Sequence, residues 1–301
     1  MSLLNKASNT GRKNHSRQAN FTQRSLNNPF GEGTFRYVSM GEYKTGIRSG
    51  QPCVGKYFKA GSCYEASYYD ADIKVTDKAV EIVSLWNNEG IISQMVHVNI
   101  PEVWTFDRSA HAKFSGTKLL IEPYVTNFQK FNSNSGWSDT SFNWGQAMQA
   151  LSHFSYHISG GKVLLCDIQG GIDSKGVILT DPAIISNDTT GKYGPTDLGP
   201  SGIANFFAHH KCNGYCRRHW IQPKRQQQMH PLRKGTTMVR FDRPQSQQQP
   251  RHRQTPGQVP RGPSTQYCST VAPRKATTRA AAYPSKPLHR PTFATSRNNM
   301  R

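Results

Sequence analysis

The sequence predicts an α+β fold in which two lobes are joined by a short connection. Residues 29–61 alternate apolar and polar positions between glycines, as the strands of an antiparallel meander do. Residues 65–89 and 138–160 instead carry apolar side chains at helical intervals. Two short apolar runs, 163–165 and 177–179, indicate further strands of a second lobe. A chain of 301 residues has room for one large domain or two modest ones.

The positive charge of the chain is concentrated at its two ends. The formal net charge is +20 at pH 7, of which residues 1–29 contribute +5 and residues 221–301 contribute +15. Residues 30–220 therefore carry no net charge. The polar composition of the ends predicts a disordered basic arm over residues 1–28 and a disordered basic Gln/Pro/Arg-rich tail over residues 223–301.

The folded domain is expected to span residues 29–222. The basic tail beyond it is suited to electrostatic binding of nucleic acid or of an acidic partner, and equally to a role as a solubilising tether. No nucleic-acid-binding motif in the sequence favours the first role.

The sequence predicts no insertion into a membrane. No apolar run is long enough to span a bilayer, and residues 1–10 lack the apolar core of a signal peptide. Six cysteines are too few for a disulfide scaffold in a chain of this size. Two of them lie in a metal-ligand pattern, which favours a reducing compartment, so an intracellular, cytoplasmic location is expected.

In the first lobe, Lys56 lies inside the strand-like segment 53–59. A lysine at this place can face solvent on the polar side of a half-exposed strand, or it can contact a phosphate in a nucleotide-binding lobe. The helix over residues 65–89 is expected to pack behind the sheet. Its Asp72 either braces a basic group of the site or simply favours the positive end of the helix dipole.

Two further strands are predicted over residues 96–106 and 117–125. The second ends at Glu122, which Pro123 follows, and a strand that ends in this way is a natural crossover between two lobes. Backbone groups that are freed at such a crossover can pair with the edge of an adenine base.

Asp167 and Asp181 each follow one of the short apolar strands of the second lobe, and Gln169 comes soon after the first of them. Mg²⁺ prefers oxygen ligands and is often held by one or two carboxylates together with substrate phosphates. Phosphoryl transfer also needs a group that accepts the proton of the attacking hydroxyl. Strand-end aspartates are ordinary turn formers as well, but their repetition just before a metal-ligand pattern favours a cation–phosphate site.

A zinc site is predicted in the same lobe. His210, Cys212 and Cys216 offer three zinc-type ligands, and structural zinc sites close with four. Two buried cysteines beside a helix-end histidine are the alternative interpretation. The candidates for the fourth ligand are the nearby histidines His153, His157, His209 and His219. His153 is favoured, because His209 and His219 lie too close in sequence to the other ligands.

Nine sequence blocks together resemble the alpha-kinases, the atypical protein kinases that include the myosin heavy chain kinases, the elongation factor kinase and the kinase domains of some TRP channels. The blocks occur in the family's order between Pro29 and Trp220. They read PFGEGTFR, CVGKYFK, LLIEPYV, FQKFNSNSGW, LSHFSYH, LLCDIQGG, LTDPAI, YGPTDLGPSGI and FFAHHKCNGYC. The HRD and DFG motifs of ordinary protein kinases are absent from the sequence.

The resemblance implies a two-lobed protein-kinase-like fold, with ATP between the lobes and a structural zinc site in the C-terminal lobe. Asp167 is similar to the family's catalytic aspartate, and Gln169 and Asp181 are similar to its magnesium ligands. Lys56 and Arg36 resemble the residues that contact the phosphates of ATP.

Three more sets of residues match the family's motifs. Glu122 resembles the adenine-side acceptor at the hinge between the lobes. The glycine-rich loop near the substrate peptide is matched by Gly194, Asp197, Gly199 and Gly202. The four zinc ligands are matched by His153, His210, Cys212 and Cys216.

The resemblance therefore implies an ATP-dependent serine/threonine protein kinase that uses Mg²⁺ and structural Zn²⁺, prefers threonine and acts on protein substrates. The alternative is a catalytically inactive, zinc-stabilised module whose basic tail binds RNA or an acidic partner. Two features depart from the family. Gly55 stands where many relatives carry alanine, and Pro195 is expected to stiffen the glycine-rich loop.

Overall fold

A computed structural model describes residues 4–8, 13–234 and 238–239 of the 301-residue chain. Its strands, in chain order, are β1 (Leu4–Ser8), β2 (Gln18–Thr22), β3 (Gly31–Glu32), β4 (Arg36–Tyr43), β5 (Pro52–Phe58), β6 (Met95–Val98), β7 (Glu102–Phe106), β8 (Lys118–Pro123), β9 (Phe128–Lys130), β10 (Val163–Cys166), β11 (Gln169–Ile172), β12 (Gly176–Leu179) and β13 (Ala183–Ser186). Its helices are α1 (Gln23–Asn27), α2 (Asp70–Asn88), α3 (Asn143–Ile158) and α4 (Gly199–His209). The mixture of helices and sheets confirms the predicted α+β class.

Seven antiparallel strands form the first sheet, in the spatial order β2-β1-β7-β8-β5-β4-β3. Strand β2 also pairs with β4, so the sheet curls back on itself. The meander predicted over residues 29–61 corresponds to β3, β4 and β5. The curled sheet encloses an apolar cluster, whose aromatic members are Phe21, Tyr43, Tyr57, Trp104, Phe106 and Phe114.

The N-terminal residues belong to this sheet, because β1 pairs with both β2 and β7. This corrects the prediction of a disordered arm over residues 1–28 for those residues that the structure describes. The polar composition was misleading, since hydrogen bonds satisfy the polar groups. The buried Asn14 side chain donates to a β8 carbonyl at 2.9 Å, and the backbone N–H groups of Lys13 and Asn14 donate to the Glu102 carboxylate.

Phe21 of β2 lies against two glycines of neighbouring strands. Its ring is fully buried and packs edge-to-face on Phe106, with 5.8 Å between the ring centroids. A Cβ atom added to Gly55 would come within 2.8 Å of the Phe21 ring and 2.9 Å of Leu119, and one at Gly41 would also collide with that ring. The N-terminal strand therefore requires glycine at position 55, which explains the departure from alanine.

Helix α2 joins the two halves of the fold. Its first turns pack on the first sheet, where Ile73 contacts the cluster of Tyr69 and Leu120. The rest of its apolar face is buried in a second core with α3 and the strands of the second half. The helix therefore packs mainly in the second half and not behind the first sheet, because its large residues contact α3, as Trp86 contacts Phe154 at 5.4 Å between ring centroids.

Two small sheets provide the strand ends of the second half. Strand β10 pairs antiparallel with β13, and the other sheet has the order β6-β12-β11-β9, with β6 and β12 parallel. All residues of β10 are buried, so packing on every side fixes the position of its end. Helix α3 begins at Asn143 and is therefore shorter than the helix predicted over residues 138–160.

Gly199 and Gly202 lie in helix α4 and not in a loop, which corrects the sequence prediction. Pro200 in the first turn favours a helix start, because the N–H group that proline lacks would have no partner there. An added Cβ at Gly202 would approach Leu198 to 2.7 Å and Ile185 to 2.9 Å. This glycine therefore permits close packing of the helix.

Beyond α4 the chain runs back along the second half. Residues 223–234 are described, and their contacts correct the prediction of a disordered tail that starts at residue 223. The backbone N–H groups of Met229 and His230 donate to Asn205 Oδ1 at 2.6 and 2.9 Å. The predicted disorder of residues 240–301 lies outside the described residues. Within the described part of the chain, no helix combines the length and the apolar character needed to cross a bilayer.

Candidate active site

Lys56 lies in an ion-pair cluster between the two halves, in which Lys56 and Glu122 are buried and Asp181 is partly exposed. Strand β5 directs its side chain inward, and only 5% of the residue is exposed. Its Nζ atom lies 2.5 Å from Glu122 Oε1 on β8 and 2.5 Å from Asp181 Oδ2. The Thr180 hydroxyl donates to the same Glu122 oxygen at 2.8 Å. The interpretation of Lys56 as a solvent-facing residue is therefore wrong.

Burial and the neighbouring charges shift the pKa values of Lys56, Glu122 and Asp181 in different ways. Burial alone would lower the pKa of the Lys56 ammonium, but the two carboxylates raise it above its ordinary value. Burial raises the pKa of Glu122 despite the attraction of Lys56, and the charge of Asp181 adds to the effect. At Asp181 burial also opposes ionisation, but Lys56 outweighs it and holds the pKa below its ordinary value. One ammonium thus faces two carboxylates, an arrangement that favours a further cation.

Lys130 of β9 connects the strand-end residues of the second half. Its Nζ atom lies 2.6 Å from Asp167 Oδ1 and 3.3 Å from Gln169 Oε1. The side-chain amide of Gln169 in turn donates to the backbone carbonyl of Asp181 at 3.2 Å. The structure therefore brings Asp167, Gln169, Asp181 and Lys56 into one continuous chain of contacts.

Sequence reasoning missed Lys130. The residue lies in a stretch where the regular apolar pattern ends, so periodicity gave no reason to choose it. Its local signals are the two aromatic residues Phe128 and Phe131 and its place in the block FQKFNSNSGW, and neither indicates a partner. Its partners are set by the pairing of β9 with β11, which places Lys130 opposite Gln169.

Asp167 and Asp181 both adopt left-handed backbone conformations, with φ angles of 56° and 47°. Asp167 follows β10 directly, and Asp181 comes two residues after the end of β12. Left-handed backbone is unfavourable for residues other than glycine, by roughly 1–2 kcal/mol. Strain of this kind at two acids in the same place is typical of functional sites.

Arg36 of β4 is held by Asp72 in the first turn of α2. The guanidinium donates to both carboxylate oxygens, with both N–O distances at 2.7 Å. It also lies over the rings of Phe58 and Tyr69, 5.0 and 5.2 Å from their centroids. Burial alone would lower the pKa of Arg36, but the charge of Asp72 outweighs it and raises the pKa. This geometry favours the interpretation in which Asp72 braces a basic group.

The carboxylate of Glu122 is bound by Lys56 and Thr180. Its side chain is therefore engaged by Lys56, and the adenine-side role stays a prediction for this segment. Asp197 is fully buried and receives the backbone N–H groups of Ser186, Tyr193 and Gly199, as well as the Ser186 hydroxyl. It thus fixes the shape of the glycine-rich segment.

Four side chains form a candidate metal centre between α3 and the segment after α4. The ligand atoms of His153, His210, Cys212 and Cys216 all lie within 4.8 Å of one another. His210 Nε2 is 3.1 Å from His153 Nδ1, and each Sγ atom is 3.7 Å from His210 Nε2. Tetrahedral zinc, with Zn–N near ~2.0 Å and Zn–S near ~2.3 Å, gives ligand separations of about 3.3–3.8 Å. The donor set fits zinc, and the His–Cys separations of 3.6–3.7 Å lie within this range, whereas the two histidine nitrogens are slightly closer.

The surroundings of the two histidines favour metal binding. His153 Nε2 lies 3.0 Å from the Ile221 carbonyl, so an Nε2–H group donates there and Nδ1 faces the cluster as an acceptor. Burial lowers the pKa of His153 and lowers that of His210 to about 3. Both rings are therefore neutral at pH 7, which is the form that binds metal. The remaining candidates for the fourth ligand lie outside this cluster, namely His157, His209 and His219.

The alpha-kinase family model matches residues 31–216 of the chain. The alpha-protein kinase vwkA of Dictyostelium discoideum is 31% identical over 197 residues, which are 64% of this chain and 30% of that protein. Myosin heavy chain kinase A of the same organism is 32% identical over 178 residues, which are 58% of this chain and 15% of that protein. The chain thus spans less than a third of the length of these relatives.

Solved structures show the same fold. An alpha kinase from Entamoeba histolytica matches with a TM-score of 0.57 and 20% identity, over 80% of this chain and 98% of that chain. The alpha-kinase domain of myosin heavy chain kinase A in complex with ADP matches with a TM-score of 0.54 and 23% identity, over 72% of this chain and 95% of that chain. The fold is therefore the alpha-kinase fold. Because the family model also covers more than half of its residues, the chain belongs to the alpha-kinase family.

Proposed function

We propose that this chain transfers the γ-phosphate of ATP to serine and threonine hydroxyls of protein substrates, with a preference for threonine. The observation that carries the proposal is the contact between Lys56 of the first half and Asp181 of the second half. Membership of the alpha-kinase family supports this activity. So does the ADP that the domain of myosin heavy chain kinase A binds in its crystal structure.

ATP is proposed to bind in the gap between the two halves. Lys56 and Arg36 supply fixed positive charge for its phosphates, since each is already held by carboxylates. The chain segment that follows Glu122 supplies the backbone groups for the adenine edge. Positioning and charge neutralisation of this kind carry most of the catalysis in phosphoryl transfer.

Gln169 and Asp181 are the proposed ligands of Mg²⁺. Both offer side-chain oxygens, the ligand type that Mg²⁺ prefers. These oxygens lie beside Lys130 and Lys56, so this part of the site already attracts and holds positive charge. When bound, Mg²⁺ neutralises charge on the phosphates.

Asp167 is the proposed proton acceptor. Its carboxylate is almost completely buried and is oriented by Lys130 at 2.6 Å. In this position Asp167 orients the hydroxyl of the substrate and receives its proton, while Lys130 holds the carboxylate in place.

The cluster of His153, His210, Cys212 and Cys216 is proposed to hold a structural Zn²⁺. Four protein ligands leave no open position, as is typical of structural and not catalytic zinc sites. The metal would tie α3 to the segment after α4 and so stabilise the C-terminal lobe.

Phosphotransfer from ATP to a protein substrate tests the proposal directly. In the full-length chain, Asp167→Asn and Asp181→Asn should each lower kcat on the order of 10²-fold or more, because each removes a charge used in the transition state. Asparagine also tolerates left-handed backbone, so the fold should be retained. Glu81→Gln, an exposed acid on α2, is the matched control and should act like the wild type. Wild-type rates for Asp167→Asn would contradict the mechanism.

A further inference from the structure

The loop after β9 binds the backbone of residues 229–234 and 238–239, which we call the C-terminal segment. Asn134 pairs with Met238 in both directions: Asn134 Oδ1 accepts the Met238 N–H at 2.8 Å, and Asn134 Nδ2 donates to the Met238 carbonyl at 2.7 Å. Ser135 does the same with Arg233, since its hydroxyl accepts the Arg233 N–H at 2.7 Å and donates to the Arg233 carbonyl at 3.1 Å.

A third side chain completes this surface. Asn205 of α4 accepts the N–H groups of Met229 and His230 through Oδ1, and its amide donates to the carbonyl of Ser135 at 2.6 Å. Asn134, Ser135 and Asn205 are each at most 1% exposed. We call these three residues the docking groove. The six groups of the C-terminal segment that it engages in these hydrogen bonds are all backbone groups shared by nearly all peptides, so it can bind many sequences.

The docking groove lies close to the proposed catalytic groups. Asn132, two residues before Asn134, accepts the backbone N–H of Ile168 at 2.8 Å, and Ile168 directly follows Asp167. Two residues of extended chain span at most about 7 Å. Asn134 also donates to the carbonyl of Thr196 at 3.1 Å, within the glycine-rich segment.

The C-terminal segment also makes side-chain contacts: the Lys234 ammonium lies 4.9 Å from the centroid of the Trp137 ring, and His230 Nε2 lies 3.2 Å from the Ser201 hydroxyl. Met238 packs against the apolar cluster of α4 and β10, and it is the segment's apolar anchor there. Met229 and Leu232 are each 42% exposed. A ligand with modest side-chain burial and repeated backbone pairing is suited to replacement by another extended peptide, as in recognition modes that rely on main-chain hydrogen bonds.

We propose that the docking groove is a binding site for an extended peptide, and that residues 229–234 and 238–239 occupy it in competition with protein substrates. The competition with substrates depends on the kinase function proposed above, whereas the peptide binding does not. Because the occupant is part of the same chain, its effective concentration at the groove is on the order of millimolar, and a second peptide binds weakly until the segment is released.

A fluorescent peptide with the sequence of residues 226–239 tests the proposal by anisotropy on the full-length chain. Two variants release the segment in different ways. Met238→Asp removes the apolar anchor, and Arg233→Pro removes the N–H that Ser135 accepts. Each should bind the peptide at least about 10-fold more tightly than the wild type, since the internal competitor is lost.

Matched variants make the result specific. Gln228→Pro changes an exposed residue of the same segment and should leave peptide binding at the wild-type level. Adding Asn134→Ala, or separately Ser135→Ala, to Met238→Asp should weaken peptide binding again, because the groove itself is altered. Equal binding by the wild type and both release variants would overturn the proposal, and so would unchanged binding after both groove substitutions.

The rise in melting temperature that ATP and Mg²⁺ cause in the same proteins separates this proposal from the kinase function. A rise as large as that of the wild type in every variant shows that each variant is folded and can bind nucleotide. In phosphotransfer, Met238→Asp should lower the KM for myelin basic protein and leave the KM for ATP unchanged. Peptide binding as expected without any nucleotide response would contradict the kinase function alone.

Discussion

Asp72 holds the side chain of Arg36 in one orientation. The fork of two hydrogen bonds fixes the guanidinium, which also lies over the neighbouring rings of Phe58 and Tyr69. If Arg36 contacts ATP phosphates, then Asp72 acts on nucleotide binding without touching the nucleotide. A substitution of Asp72 therefore changes the orientation of Arg36 and keeps its charge, whereas a substitution of Arg36 itself removes the charge.

We predict that Asp72→Ala raises the Kd for ATP about 10- to 100-fold, as expected when a charge-assisted hydrogen bond worth about 1.5–3 kcal/mol is lost. Isothermal titration with ATP and Mg²⁺ measures this change. The neighbouring Asp70→Asn is the control, since Asp70 is an exposed acid of the same helical turn. Equal affinities for Asp72→Ala and the wild type would show that Arg36 needs no brace.

Asp181 makes stability depend on pH. Lys56 holds the pKa of Asp181 below its ordinary value, so its stabilising contribution is present above the unfolded-chain pKa of about 3.9 and is lost as the pH falls through the folded value. The Asp181 side chain is 53% exposed, and water therefore weakens the effect. The melting temperature of the wild type should exceed that of Asp181→Asn at pH 6, and the difference should shrink as the pH is lowered below the unfolded-chain pKa. A difference that stays constant over this range would contradict the prediction.

At the scale of elements, the candidate zinc site joins a helix to a segment with little regular structure. Residues 210–220 contain no helix or strand. Outside the cluster they meet α3 through the buried Trp220, whose ring centroid lies 5.5 Å from that of Phe154, and through Asn213, whose amide donates to the Gln146 carbonyl at 2.9 Å. A metal with four ligands from these two elements would add fixed bonds to this packing. Its loss should therefore destabilise this region.

We predict one equivalent of zinc in the purified chain and its loss in His153→Ala and Cys216→Ser. Both variants should also melt at a lower temperature, and a chelator should lower the melting temperature of the wild type. His219→Ala is the matched control, because His219 is an exposed neighbouring histidine outside the cluster. Metal analysis together with calorimetry checks this, and full zinc content in His153→Ala would contradict the assignment.

The sequence predicted the elements whose apolar residues repeat regularly. Helix α2 and strands β10 and β12 have such repeats and lie close to where they were predicted. Strands β1 and β2 were missed, because much of what holds them is backbone pairing and buried polar groups that composition does not reveal. Lys130, Asn134 and Ser135 lie in the block FQKFNSNSGW, but their contacts were missed, since their partners are distant in sequence.

At the scale of the whole molecule, the N-terminal strands and the lysine-bearing strand share one core. Phe21 fills the space above Gly55, one residue before Lys56. A change in the N-terminal segment is therefore transmitted through packing to the strand that carries the site. The family region and the N-terminal strands should unfold together.

We predict that Phe21→Ala destabilises the chain by about 3–5 kcal/mol and that Gly55→Ala costs about 1–3 kcal/mol by overpacking. The double variant should lose less than the sum of the two, because the new methyl group enters the space that the ring has left. Urea unfolding of the four proteins measures this coupling. Additive losses would show that the ring and the glycine are independent.

The left-handed backbone at Asp167 and Asp181 sets catalysis against folding. Glycine at either position would relieve the steric conflict and remove a proposed functional carboxylate in the same step. The same change would also leave Lys130 or Lys56 without one of its carboxylate partners, which costs stability. A descendant released from the need to transfer phosphate would therefore not drift freely to glycine at these places, because each acid is tied into the fold by a lysine.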